Sequence, residues 1–108
     1  MNKMLKIGLI AGLLSISAEA AVTAKTKITK VMTYPGVAVI KIDKTAPGCT
    51  FSNKNYVILD TTTTNGRSVY SAALTAFTTG ANVQVAHSGC RSWWDATIPK
   101  MYRLDMIK

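Results

Sequence analysis

The N-terminal segment decides how much chain is left to fold. Lys3 and Lys6 give it a positive start, Ile7 to Ile16 is an apolar run, and the small-residue pattern Ala18-Glu19-Ala20 precedes Ala21. This is the layout of a secretory signal peptide cleaved after Ala20. An apolar run of roughly ten residues is half of the roughly twenty that a helix needs to cross a hydrocarbon core. The expected product is therefore a single domain of residues 21–108, secreted or periplasmic, with no membrane span after cleavage. A domain of that size builds a core near the lower limit of self-sufficiency, so any cross-link counts heavily.

Cys49 and Cys90 are the only cysteines. In the oxidising compartment that export implies, an even count is read as disulfides, and the pair is expected to be one structural bridge. Two cysteines and a distant His87 do not supply four ligands at zinc spacing, and no Cys-x-x-Cys redox motif is present. No metal and no cofactor are expected. The signal segment takes Lys3, Lys6 and Glu19 with it, so thirteen Lys and Arg against five Asp and Glu become eleven against four, a net charge of +7.

Along the mature chain the hydrophobic period changes twice, from strand to helix spacing and back. Thr26 to Tyr34 is rich in β-branched residues, Pro35-Gly36 is a turn, and Val37 to Asp43 alternates, with Val37, Val39 and Lys41 on one face and Ala38, Ile40 and Ile42 on the other. Lys44 to Asn55 reads as a polar loop carrying Cys49, Tyr56 to Leu59 as a third strand, and Thr61 to Gly66 as a second loop. From Ser68 to Thr79 the residues Tyr70, Ala73, Leu74 and Phe77 form one stripe at helical spacing. Ser68 is placed to cap the first turn, and Gly80 to end the helix. Asn82 to Ala86 reads as strand four, His87 to Pro99 as a loop holding Cys90, Trp93 and Trp94, and Lys100 to Lys108 as strand five.

The expected fold is mainly β with one helix, in the order β-β-β-α-β-β. That is the organisation of a five-stranded OB-type barrel, closed at one end by the helix that joins strands three and four. The rival architecture is an open antiparallel sheet with the helix on one face.

The stretch from Ser68 to Gly80, the strand Ala81 to Val85 and the tripeptide Ser88-Gly89-Cys90 resemble a pattern in small secreted bacterial proteins. In them a helix ending in Thr-Gly leads to a strand and then to a Gly-Cys bridged to a cysteine before strand three. The pattern is similar to that of the B subunits of the subtilase-cytotoxin and pertussis-like AB5 toxins, over residues 49–90. The resemblance implies an OB-type fold, ring-shaped homo-oligomers, glycan binding and a toxin A subunit as partner.

No catalytic constellation is legible. Ser88 and Ser92 have no histidine and carboxylate in register, and Asp43, Asp60, Asp95 and Asp105 do not suggest a glycosidase pair. The chain is not expected to be an enzyme. The candidate ligand contacts are Trp93, Trp94, Arg91, His87, Lys41 and Tyr34. Neighbours on an extended segment point to opposite sides, so one indole of Trp93-Trp94 is free to face outward and stack on a sugar ring beside Arg91, His87 and Asp95. The plainer role for both indoles is to cover the barrel mouth, and for His87 to be a polar loop residue. Lys25, Lys27, Lys30, Lys41, Lys44 and Lys54 form a basic face for an anionic surface ligand, or merely guard strand edges. Together these residues suggest a non-enzymatic protein that binds a glycan or an anionic surface ligand. The alternatives are a protein-interaction or inhibitor module, and a basic OB-type nucleic-acid or envelope-stress protein. Nucleic acid is disfavoured because Tyr34 and Tyr56 are the only aromatics expected within reach of the face of strands two and three.

Overall fold

A computed structural model describes residues 20–108; the expected signal peptide, Ala20 apart, lies outside them. The described chain is mainly β with one helix: β1 (Ala21–Val22), β2 (Ile28–Tyr34), β3 (Val37–Ile42), β4 (Tyr56–Asp60), α1 (Thr64–Thr79), β5 (Asn82–Trp93) and β6 (Ala96–Ile107). The strands form one sheet in the order β1-β5-β6-β4-β3-β2. Paired strands are antiparallel except β4 and β6, which run parallel and share one registered pair, Ile58 with Lys100. No helix among the described residues is long and apolar enough to cross a membrane.

The expected five-stranded closed barrel is corrected to a six-stranded sheet with β1 and β2 at its two ends. The added strand arises because the first ladder is interrupted. Ala21 and Val22 pair with His87 and Ala86 of β5, whereas Ile28 onward pairs with β3. Between them the chain stays tied to β5: the amides of Thr23 and Thr26 donate to the carbonyls of Val85 and Val83 at 2.9 Å, and the Val83 amide donates back to Thr26 at 2.8 Å. Thr26 is buried, and its hydroxyl donates to the Asp43 carboxylate and accepts from the amides of Asp43 and Lys44 at 3.1 Å. A buried hydroxyl with three partners needs no water, so this knot fixes where the chain leaves β5 and joins β3.

The sheet buries apolar side chains on both faces. On the inner face Ile28, Ile40, Ile42, Val57, Leu59, Val83, Val85 and Met101 pack with Val69, Ala73 and Ala76 of α1. On the outer face Val37, Val39, Ile58 and Ile98 form a second cluster, covered by Met32, Phe51, Tyr56 and Trp93. The alternation expected in β3 holds, with Val37 and Val39 outward and Ile40 and Ile42 inward.

The helix begins earlier than expected, and its buried stripe is rotated. Thr63, not Ser68, is the N-cap, its hydroxyl accepting from the Gly66 amide at 2.8 Å. Asn65-Gly66 therefore lies inside the first turn and not in a loop. The buried positions are Gly66, Val69, Ala73 and Ala76, while Leu74 is 38% and Phe77 44% exposed and Tyr70 is half-buried. Both stripes have helical spacing. The one made of small residues wins because it lets the helix axis approach the sheet, and every contact of a close-packed core shortens with it. Gly80 ends the helix with φ 70°, as expected.

The expected loop from His87 to Pro99 is also corrected. β5 and β6 form one long hairpin in which only Trp94 and Asp95 lie between the strands. Register shifts flank His87: it opposes Met101 while Cys90 opposes Pro99, so Ser88 and Gly89 together face Lys100. Such a bulge breaks the two-residue period on which a strand is recognised, and Pro99 adds a further false stop.

Candidate functional site

The outer cluster and the end of the β5–β6 hairpin build an aromatic face. Trp93, the last residue of β5, is half-buried, and its ring lies 5.0 Å edge-on from that of Tyr34 at the end of β2. Trp94 follows at 6.2 Å between ring centroids, and its indole is 85% exposed. Phe51 and Tyr56 meet edge to face at 5.7 Å. Between these rings Met32, Val39, Phe51, Tyr56, Trp93 and Ile98 line a hollow of about 110 Å³. Lys41 stands 6.0 Å above the Tyr56 ring, at the outer limit of a cation–π contact.

The loop that carries Phe51 is held at three points. Cys49 and Cys90 form the expected disulfide, with Cα atoms 5.9 Å apart. Thr50 and Thr97 exchange amide-to-hydroxyl hydrogen bonds at 3.0 and 2.9 Å, and the Phe51 amide donates to the Thr97 carbonyl at 2.9 Å. The bridge thus fastens a wall of the hollow to the hairpin that carries the tryptophans. Cys90 lies within β5 and not in a loop beyond it.

Four of the six expected contacts gather here: Tyr34, Lys41, Trp93 and Trp94. Arg91 is exposed two residues before Trp93, on the same side of β5, and lines a neighbouring cleft. His87 does not join them. It is 5% exposed and sits inside β5 opposite Met101, because the hairpin extends the strand through the residues expected to form a loop. The basic face is likewise divided. Lys27 donates to the carbonyl of Gly80 at the helix end at 2.7 Å, and Lys54 to that of Cys49 at 2.6 Å, so both ammonium groups have structural partners. Phe51 was missed because it lies in a polar loop with no period, and only the disulfide and the Thr50–Thr97 pair bring it to the face.

The backbone at Trp94 carries its own signal. It is the only described non-glycine residue with positive φ, at 59°, in a region that a bulky side chain enters at a cost. Strain of about 1–3 kcal/mol is usual for such residues, and an indole in water returns little packing energy. The two-residue hairpin turn accounts for the positive φ; the fold does not call for an exposed indole at that position, where glycine would be unstrained.

Among the described residues no three His, Cys, Asp or Glu side chains converge to hold a metal ion. Comparison of the chain with family models, with curated proteins and with solved structures returns no match.

Three groups make stability depend on pH in one direction. Burial holds the His87 imidazole below its usual pKa. The Asp43 carboxyl is lowered by the Thr26 hydroxyl and then the Lys27 amide, and that of Asp60 by the hydroxyl and amide of Thr62. A base with a depressed folded pKa keeps its full contribution above the unfolded value of 6.5 and loses it as pH falls toward the folded one. Carboxyls with depressed folded values keep theirs above 3.8 and lose it below. Acidification from neutral pH is expected to lower the urea midpoint in two stages, the first absent in His87→Gln. A midpoint that rises between neutral pH and the carboxyl range would contradict this.

Proposed function

We propose that this chain is a non-enzymatic, exported binding protein of OB type that takes a glycan on its outer aromatic face. In this view residues 21–34 correspond to one interrupted first OB strand, touching β5 with their first part and β3 with their second, in a sheet that remains open between β1 and β2. The face of the second and third OB strands, here β3 and β4, and the turns at Tyr34-Pro35 and Trp94-Asp95 are where OB proteins hold oligosaccharides and oligonucleotides. A B-subunit-like ring with a toxin A subunit is the assembly that the family resemblance adds to this proposal.

Trp94 carries the case. A solvent-exposed indole on a strained turn, backed edge-on by Trp93 and Tyr34, is a platform for the apolar face of a sugar ring. Trp94→Gly separates fold from function. It is expected to raise stability by about 1 kcal/mol, because glycine accepts positive φ freely. At the same time it should weaken oligosaccharide binding at least tenfold, read by titration of the remaining Trp93 fluorescence. Equal affinity in the variant would remove the glycan face.

Single-stranded nucleic acid is a second reading, favoured by one observation. Phe51 and Trp93 join Tyr34, Tyr56 and Trp94 on this face, more rings than the sequence assigned to it. Titration with an oligonucleotide at two salt concentrations discriminates, since phosphate contacts make affinity fall steeply with salt.

A further inference from the structure

Beside the aromatic face lies a larger cleft of about 270 Å³, whose walls include Ile58 and Asp60 of β4, Arg91 of β5 and Lys100 and Tyr102 of β6. It opens where β4 and β6, which share the one pair Ile58–Lys100, have no further registered partners. Leu59, Met101 and the first turn of α1 also line it from the inner side, but strand alternation places Ile58, Asp60, Arg91, Lys100 and Tyr102 on the same side as the aromatic cluster. Arg91 is two residues from Trp93, Lys100 two from Ile98, and Ile58 belongs both to the outer cluster and to the cleft wall. Cleft and aromatic hollow are neighbouring compartments of one surface.

Neither cation of this cleft forms a salt bridge among the described residues, though the Thr62 hydroxyl and amide and, behind them, the nearby Arg91 charge lower the Asp60 carboxyl. Among the described residues the salt bridge formed is between Arg103 and Asp105, at 3.1 Å. The one carboxylate in the cleft, Asp60, accepts from the Thr62 amide at 2.8 Å and its hydroxyl at 2.6 Å. Lys100 is also positioned. It faces the bulge at Ser88-Gly89, where a Cβ built on Gly89 would stand 3.0 Å from the lysine Cε. The glycine, at φ 75°, leaves the space in which that side chain lies. Two exposed cations against one carboxylate, whose nearest hydrogen bonds go to Thr62, leave the cleft with a net positive charge and, with Lys100 seated by the bulge, make a receptor for a single negative group.

We infer that Arg91 and Lys100 form an anion subsite, which takes the carboxylate or phosphate substituent of the same glycan whose ring lies against Trp94. The inference rests on the glycan-binding role proposed above. It assigns the ligand class as acidic and gives the guanidinium and ammonium one anionic group to share through charge-assisted hydrogen bonds.

The test uses the mature chain and three probes: a uronate-terminated oligosaccharide, its neutral counterpart and inorganic phosphate. Calorimetry is expected to show the acidic sugar binding about tenfold tighter than the neutral one, the value of one hydrogen bond to a charged group. The R91Q/K100Q double variant replaces two exposed side chains and should melt as the parent does. It should bind both sugars with the parent's affinity for the neutral one, whereas Trp94→Gly should weaken both equally. A double variant that keeps the parent's preference for the acidic sugar overturns the subsite. If the parent binds neither sugar, the glycan role fails, and phosphate still decides the subsite. Saturable shifts of the Arg91 and Lys100 side-chain resonances support it, and their absence overturns it.

Discussion

The Cys49→Ser/Cys90→Ser double variant is expected to lose about 4 kcal/mol of unfolding free energy, the loop-closure entropy of a bridge of this span. The bridged residues are 41 apart in sequence, and for a small domain the loss is a large share of the whole. The bridge also fastens the Phe51 loop to β5, so a second consequence follows in the native state. With the bridge gone, that wall is held by the Thr50–Thr97 exchange and the Phe51 amide, and the hollow under Trp93 loosens. Urea denaturation measures the first effect, and Trp93 emission in a Trp94→Gly background, shifting to the red in native buffer, measures the second. A double variant within about 1 kcal/mol of the parent would mean that the unbridged denatured chain is already compact.

Gly66→Ala is expected to cost more than about 3 kcal/mol, a value reached only through named structural conflicts. In an ordinary helix the same change gains about 0.5–1 kcal/mol. Here the sign reverses because the helix approaches the sheet through this position. A Cβ on Gly66 would stand 1.7 Å from the carbonyl oxygen of Asp60 and 2.9 Å from its carbon. Both are backbone atoms at the end of β4 and have no rotamer by which to retreat. Relief requires the first turn to lift, which draws Val69 and Ala73 out of the inner core. Thermal melting of the variant against the parent reads the effect, and an unchanged or raised melting temperature would contradict it.

Much of the architecture was legible because local periods survive in it. The alternation of Val37 to Ile42 set both faces of β3, Gly80 marked the helix end, and the two cysteines were joined. What was hidden has particular causes. The bulge at Ser88-Gly89 removed the period from the middle of the hairpin, so His87 was assigned to a loop beside the tryptophans when it is a buried strand residue. The helix stripe was read as Tyr70, Ala73, Leu74 and Phe77; packing kept Ala73 but joined it to Gly66, Val69 and Ala76 and left the larger Leu74 and Phe77 exposed. Size governs how closely two elements come together, and hydropathy alone does not report it. At the candidate site, adjacency on one strand end revealed Trp93 and Trp94. Phe51 and Lys100 reach the same surface through contacts distant in sequence, which no local pattern encodes.

The Thr23–Thr26 passage has a consequence for how the molecule assembles. The seam joins the beginning of the domain to Val83 and Val85, so it cannot zip until the chain has been made into β5, and contacts of such long range are slow to form. During that interval the outer margin of β5 offers bare amides and carbonyls to any matching arm. Two immature copies could satisfy each other by exchanging N-terminal arms, the usual low-cost route to a swapped dimer. The Thr26–Asp43 knot stands at the hinge of that exchange. By setting the direction in which the arm departs, it favours each copy latching its own seam.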